Sequence, residues 1–319
     1  MIHIHAYSDL DNSFTVFESI NDILYLIYTN NNNSIICYDL NEQKKIIELK
    51  NTHSESITNF NHYLDEINKR DLIMSVSCLD NNIRIWNLNN FECIQNITNI
   101  NNVGILCSAC FIKENNQIYI ITSNYNKNGN SECIKVFDLN GQKIKEINNS
   151  NEKTYFIDIY YDKILSKNYI ITGNLNYVKS YDYSGHQLYH KYYDNDKHSH
   201  MSILINNNKN IIKLIESSYE TIRIWNFHSG LLLNKIKIND IFLFGICLWN
   251  DNYLFVGCSD NTIKLIELKN GLIVKSLISH INRVITVKKI IHPKYGNCLI
   301  SQNIKKIEIK LWVIQNNNI

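Results

Sequence analysis

The sequence predicts an all-β fold, a seven-bladed β-propeller of four-stranded antiparallel blades, and three observations predict it. One segment recurs seven times at intervals of 41 to 51 residues. Between recurrences lie short runs of β-branched, aromatic and other apolar residues, bounded by Asn, Asp, Gly or Lys. No stretch sustains the 3.6-residue period of an amphipathic helix. A period in the forties made of short β-rich runs is the signature of propeller blades.

The recurring segments are "SIICYDL" (34–40), "NIRIWNL" (82–88), "CIKVFDL" (133–139), "YVKSYDY" (177–183), "TIRIWNF" (221–227), "TIKLIEL" (262–268) and the looser "IEIKLWVI" (307–314). The second unit reads as the strands "SITNFNHYL", "DLIMSVSC", "NIRIWNL" and "CIQNITNI". The sixth reads as "IFLFGICLW", "YLFVGC", "TIKLIEL" and "IVKSLIS". Many runs are apolar at nearly every position, as expected of sheets buried on both faces. A single blade cannot cover two faces alone, so the chain repeats it. The seventh unit supplies "VITVKKIIH", "CLISQN" and "IEIKLWVI" and lacks an outer strand. The N-terminal "IHIHAY" is expected to provide it, closing the ring and removing an exposed edge. The whole chain, 1–319, is expected to be one such domain.

Composition sets further bounds. The chain has 319 residues, 45% of them hydrophobic, enough for a large core. Its 32 Lys and Arg and 30 Asp and Glu are interspersed, and the arginines (Arg70, Arg84, Arg223, Arg283) are scattered. A phosphate-neutralising surface, or a bidentate reader of guanine, needs clustered cations. Nucleic acid is therefore not expected as the main partner. The N-terminal "MIHIHAYSDL" lacks the basic and apolar regions of a secretory signal. The longest apolar run, "IFLFGICLW" (241–249), is far short of the ~20 residues of a membrane helix. Nine cysteines without a framework read as reduced thiols of a cytoplasmic or nuclear protein. The Asn runs at 30–33, 206–208 and 316–318 read as loop filler, since Asn tolerates left-handed backbone.

These residues resemble the WD40-repeat family across essentially the whole chain, as seven degenerate repeats. His53, four residues before Ile57, resembles the family's step into an inner strand, and Asp80 stands six residues before Trp86. The resemblance implies a buried hydrogen-bonded set of His, strand hydroxyl, turn Asp and Trp. Val76 falls where the hydroxyl is expected, with Ser77 as its substitute through a bulge, and Cys78 follows. The sixth unit has Val256, Cys258 and Asp260 but Ile266 for Trp. The seventh has His280 and Trp312 with Lys306 in the Asp slot, and the fifth has Trp225 with Tyr219 there. On this reading no unit carries the full set, which the fold tolerates if apolar packing replaces it. His53, Asp80, Trp86, Trp225, Asp260, His280 and Trp312 are thus expected structural residues of the repeat.

Four features carry candidate chemistry. Arg84, Lys135, Lys179, Arg223, Lys264 and Lys310 stand two residues before the aligned position of six units, where the resemblance implies support of the sheet. "CSAC" (107–110) holds a C-x-x-C, but in a strand Cys107 and Cys110 point to opposite faces, and no second pair exists to complete a metal site. With Cys78 and Cys258 they are expected core thiols. "HQLYHKYYDNDKHSH" (186–200) gathers His186, His190, His198, His200, Asp194 and Asp196. It reads as an outer strand and polar loop, as does the His3 and His5 pair, and a metal is not expected. No G-x-S-x-G, phosphate loop or H-E-x-x-H occurs. The adjacent arginines of phosphoinositide-binding propellers are absent, so that ligand is not expected either.

The resemblance places partner binding on the face made by outer-to-inner connections and second-to-third strand turns. Asn31, Leu79, Asn130, Asn174, Ser218, Ser259 and Lys305 are expected to project there. The enlarged turn "NYNKNGNSE" (124–132) adds Tyr125, a residue favoured at interface hot spots. The opposite face offers the loop "YLDEINKRD" (63–71). The expected function is a non-catalytic scaffold or adaptor in a multiprotein complex, without metal or cofactor, whose rigid loops bind other proteins at small ordering cost. The alternative is a reader of a short peptide or modified tail at the mouth of the propeller channel. Fold alone names neither process nor partner.

Overall fold

The computed structural model describes residues 2–3, 14–30, 32–98, 105–125, 133–148, 154, 156–173, 177–184, 187–194, 200–208, 211–278, 280–304 and 308–314. Among them every regular element is a strand. Ile2–His3 is β1. The first sheet holds Phe14–Glu18, Leu24–Thr29, Ile35–Asp39 and Lys44–Leu49 (β2 to β5), and the second Ile57–Asp65, Arg70–Ser77, Asn82–Asn87 and Glu92–Ile97 (β6 to β9). The third holds Ile105–Glu114, Gln117–Tyr125, Cys133–Asp138 and Lys143–Asn148 (β10 to β13). The fourth holds Phe156–Asp162, Lys167–Gly173, Val178–Asp182 and Gln187–Tyr192 (β14 to β17). The fifth has His200–Asn208, Ile211–Ser218, Thr221–Asn226 and Leu232–Lys237 (β18 to β21), and the sixth Leu243–Leu248, Tyr253–Cys258, Thr262–Glu267 and Ile273–Ile278 (β22 to β25). The seventh has Val284–His292, Gly296–Asn303 and Ile309–Val313 (β26 to β28). Each sheet is an antiparallel meander in sequence order. Seven such blades make the seven-bladed β-propeller that the repeat predicts.

The N-terminal strand corrects one expectation. β1 does not extend the seventh sheet. It pairs antiparallel with β18, Ile2 opposite Ile205 and His3 opposite Leu204. The first strand of the fifth sheet also presents an unpaired edge, and the N-terminal strand satisfies that edge. The seventh sheet accordingly has three strands among the described residues.

The chain forms two compact units, residues 10–159 and residues 160–319 with 1–9. In the first unit, Leu72, Met74 and Val76 of β7 pack with Leu106, Ala109 and Phe111 of the third sheet. The alternate residue Ile73 packs with Tyr25, Ile27 and Cys37 of the first. Both faces of β7 are buried, which is why its sequence does not alternate. In the second unit, Ile222, Ile224 and Ile236 pack with Leu254, Val256 and Ile266. The other face of the sixth sheet, with Phe255, Ile263 and Leu265, packs with Val284, Val287 and Leu299. The sixth and seventh sheets approach closely at Gly257. A Cβ there would lie 2.5 Å from the Val284 carbonyl oxygen, so only glycine fits.

Candidate functional site

The second sheet carries the complete polar set, which corrects the reading that no unit does. His53 Nε2 lies 2.8 Å from Ser75 Oγ, His53 Nδ1 lies 3.0 Å from Asp80 Oδ2, and Trp86 Nε1 donates to Ser75 Oγ at 2.9 Å. The hydroxyl is Ser75, in place of the expected Val76 or Ser77, because Val76 points to the opposite face of β7. Burial pushes the Asp80 carboxyl up, but the bond and charge of His53 and the Asn82 backbone N–H together outweigh this and hold it below the usual range.

The seventh sheet repeats the set with a longer acid. His280 bonds Ser301 Oγ at 2.7 Å and Glu308 Oε2 at 3.1 Å, and Trp312 Nε1 donates to Ser301 Oγ at 2.7 Å. Glu308 fills the role for which the sequence offered Lys306, a residue outside those described. In the fifth sheet Trp225 Nε1 donates to Glu216 Oε1 at 3.3 Å. The sixth has apolar partners at both corresponding places, Val256 opposite Lys264 and Ile266 opposite Leu254. The acceptor thus varies with the aromatic: an indole N–H buried here needs an oxygen, and an isoleucine does not.

Several cations of the repeat are held by neighbouring groups. Arg223, 1% exposed, donates Nε to Asp194 Oδ2 at 2.6 Å and Nη1 to Ser218 Oγ at 2.5 Å. Lys264 Nζ donates to Asp260 Oδ2 at 2.7 Å, and Arg84 Nη1 to the Asn51 carbonyl at 3.0 Å. Lys179 is buried, and Lys310 bridges to Glu308 at 2.9 Å. Cys110 is buried and its thiol is pushed well above the ordinary value by desolvation. Cys107 and Cys78 are half-buried, the Cys78 thiol donating to the Cys107 carbonyl. In the histidine-rich segment, His190 Nε2 bonds the His228 carbonyl oxygen, and His228 in turn lies 3.0 Å from Tyr189 Oη and from Asp162 Oδ2. His186, Asp196 and His198 lie outside the described residues, as do the side chains of His3, His5 and His200.

The predicted docking residues fare unevenly. Asn31, Asn130, Asn174, Lys305 and the side chain of Tyr125 fall outside the described part of the structure. Leu79 projects, 65% exposed. Ser218 does not: it is fully buried, its hydroxyl accepting from Arg223. Ser259 is half-buried and accepts from the Phe242 backbone N–H at 2.9 Å. That bond holds a feature missed in the sequence, the exposed ring pair of Tyr219 and Phe242, with centroids 5.5 Å apart. Its only sequence signal was the Tyr in the slot reserved for Asp.

A concavity lies at the other end of the strands, at the 63–71 loop. It is a groove of about 400 Å³ between the second and third sheets, within residues 10–159. Three turns build it. The first, between β6 and β7, is pinned by Asp65, whose carboxylate accepts from the Asn68 backbone and side chain and from Arg70 Nε at 2.8 Å. The second, between β10 and β11, is the pair Asn115 and Asn116, both at positive φ (49° and 62°), the backbone of a tight hairpin. The third, after β12, is held by Asp138, which accepts from the backbone of Asn140 and Gln142 at 2.9 and 2.8 Å. Gln95 Nε2 donates to the Asn140 carbonyl at 2.8 Å and ties this turn to the second sheet.

The groove's walls are half-buried Tyr63, Ile118, Tyr119 and Leu139, with Ile67 and Ile144 exposed at its rim by 62% and 50%. Burial raises the Asp65 carboxyl, but the bonds from Asn68 and Arg70 outweigh it and keep it below the usual range. Burial, then the charges of Asp65 and Glu66, raise the Tyr63 hydroxyl, which stays neutral and able to donate. The lining therefore combines fixed apolar walls with polar groups whose orientation the turns determine. Such a site suits an extended segment with an apolar side chain and flanking polar groups.

Neither the family models nor the curated proteins give a match to this sequence. The fold, with its seven sheets and histidine–hydroxyl–tryptophan sets, is consistent with the WD40 type. Among the described residues no helix is long and apolar enough to cross a membrane.

Proposed function

We propose that this protein is a degenerate WD40-type propeller acting as a non-catalytic scaffold or adaptor, and that it holds an extended segment of a partner protein in the groove between its second and third sheets. β-Propellers commonly mediate protein interactions, and the groove is the observation that carries the reading. Its turns are fixed by Asp65, Asp138 and the Asn115–Asn116 hairpin, so a partner binds without ordering them. Both carboxylates are engaged in holding turns, which supports positioning over chemistry. The free thiols fit a reducing compartment, cytoplasm or nucleus.

The test is affinity purification of the tagged full chain from its own cells under mild conditions, beside a variant carrying Ile67→Glu and Ile144→Glu. Both residues are exposed, so the variant is expected to fold. A near-stoichiometric partner retained by the wild type and lost by the variant supports the reading. A wild-type protein that elutes alone at monomer size sinks it, and partners retained equally by the variant move binding away from the groove.

A further inference from the structure

The repeat supplies its own control for reading the surface. In each of the first six sheets the third and fourth strands pair with a one-residue register shift near the start of the fourth. The three residues at that point therefore correspond from sheet to sheet. In the first four sheets they read Lys44-Lys45-Ile46, Glu92-Cys93-Ile94, Gln142-Lys143-Ile144 and Gln187-Leu188-Tyr189. In the fifth they are Leu231, Leu232 and Leu233, and in the sixth Leu272, Ile273 and Val274. The third place is apolar throughout, as the fold requires. The first place is polar in all four earlier sheets and the second in two of them, Lys45 and Lys143, so the fold does not ask for aliphatics there. Yet all six residues of the fifth and sixth sheets are aliphatic, and they are 39% to 66% exposed.

The two triplets are neighbours. A Cβ on Gly271 would stand 2.7 Å from Ile236 Cγ2, and Asn234 Nδ2 donates to the Leu268 carbonyl at 2.9 Å. The turn of the sixth sheet thus rests on β21, and both triplets open at the same end of their strands. The chain on either side of both triplets carries an excess of lysine. Residues 228–239 and 268–282 contain no Asp or Glu but hold the exposed Lys235, Lys237, Lys269 and Lys275. Lys235 is bridged to Asp194 at 2.9 Å, and Glu267, at the base of the turn, accepts from Asn270 Nδ2 at 2.7 Å.

Composition decides between partners. Protein interfaces enrich Tyr, Trp and Arg and deplete Lys, and their hot spots under-represent Leu and Val. This rim has the inverse composition. Aliphatics beside an excess of lysines suit a membrane surface: the aliphatics enter the acyl boundary while the lysine stems reach back to headgroup phosphates. We propose that the aliphatic rim of the fifth and sixth sheets docks this protein onto an anionic lipid bilayer. Such docking reads surface charge and needs neither a headgroup pocket nor paired arginines.

The test is co-sedimentation of the purified full chain with vesicles of phosphatidylcholine, with and without phosphatidylserine. The expected result is binding to the anionic vesicles that weakens as salt is raised. Replacing the aliphatics by Leu231→Gln, Leu232→Thr, Leu272→Gln and Ile273→Thr should abolish it. Lys269→Gln with Lys275→Gln should weaken it about tenfold or more. Both variants are expected to keep the wild-type circular dichroism and Tm, since every changed side chain is exposed. Should the fourfold variant misfold, the lysine variant and the salt dependence still decide. Three results overturn the proposal: no wild-type binding to anionic vesicles at low salt, equal binding to neutral vesicles, or unchanged binding by the folded variants. A wild-type dimer that the fourfold variant disrupts, or capture of an acidic protein in place of vesicles, would also overturn it and assign the rim to that partner.

Discussion

At Arg223 the repeat's recurring cation has become part of a buried ionic network. Its guanidinium, 1% exposed, faces Asp194 at 2.6 Å and Glu216 at 3.9 Å, both carboxylates almost fully buried. Arg223→Met removes the cation and leaves the two acids without it. Breaking a buried pair in this way costs about 3–5 kcal/mol, against about 0–1 kcal/mol for a partly exposed one. Urea unfolding of Arg223→Met beside Lys310→Met, whose bridge to Glu308 is partly exposed, should show that contrast; equal losses would contradict it. A second residue makes stability depend on pH. Burial holds the His280 imidazole below its ordinary value of 6.5 and outweighs its bond to Glu308. As pH falls below 6.5 the unfolded chain takes the proton first, so stability drops until the folded histidine is protonated too. The contribution is complete above 6.5 and lost downward through the folded value. His280→Gln should be less stable than wild type at about pH 7.5, yet lose less of its stability between about pH 6.5 and 5.5. A variant with the wild-type pH slope would rule this out.

The blade is the scale at which the sequence was most legible. The seven aromatic or apolar endings fall on third strands or their immediate ends, and the runs between them become the other strands. Pattern does not say which edge a short strand joins, so "IHIHAY" was legible as a strand but not as the partner of β18. The acceptor of each tryptophan is set by pairing register across two strands, which is why Ser75 and Glu308 were displaced from their expected places. The groove was hidden for a related reason: its three turns are separated in sequence and meet only when two sheets pack. Sheet packing also makes the element-scale prediction. A methyl group at Gly257 meets the Val284 backbone, which cannot swing aside as a side chain can. Gly257→Ala should cost at least the ~1–3 kcal/mol of ordinary overpacking. Gly296 has open space but a φ of 69°, so Gly296→Ala should cost only ~1 kcal/mol of backbone strain. Thermal unfolding of the two variants should rank them in that order.

Across the whole molecule, the free thiols report how far the native state protects its core. Cys37 and Cys110 are buried within residues 10–159, and Cys247, Cys258 and Cys298 within 160–319. Desolvation pushes the thiols of Cys37, Cys247 and Cys258 up to about 12, and that of Cys110 well above its ordinary value. A thiol reagent attacks only the thiolate, and it must also reach the sulfur. Both conditions fail at these positions while the sheets stay packed. Cys93, on the exposed β9, meets neither obstacle to the same degree. Native protein treated with an aromatic disulfide near neutral pH should therefore label Cys93 within the mixing period, and the five buried cysteines only as fast as their unit opens. Residue-resolved mass spectrometry across a urea series measures this. The buried sites should gain label along the unfolding transition followed by circular dichroism, because their protection comes from packing that the transition destroys. Labelling of Cys247 or Cys258 in native buffer at the rate of Cys93 would show that the packing between the fifth, sixth and seventh sheets opens far below global unfolding.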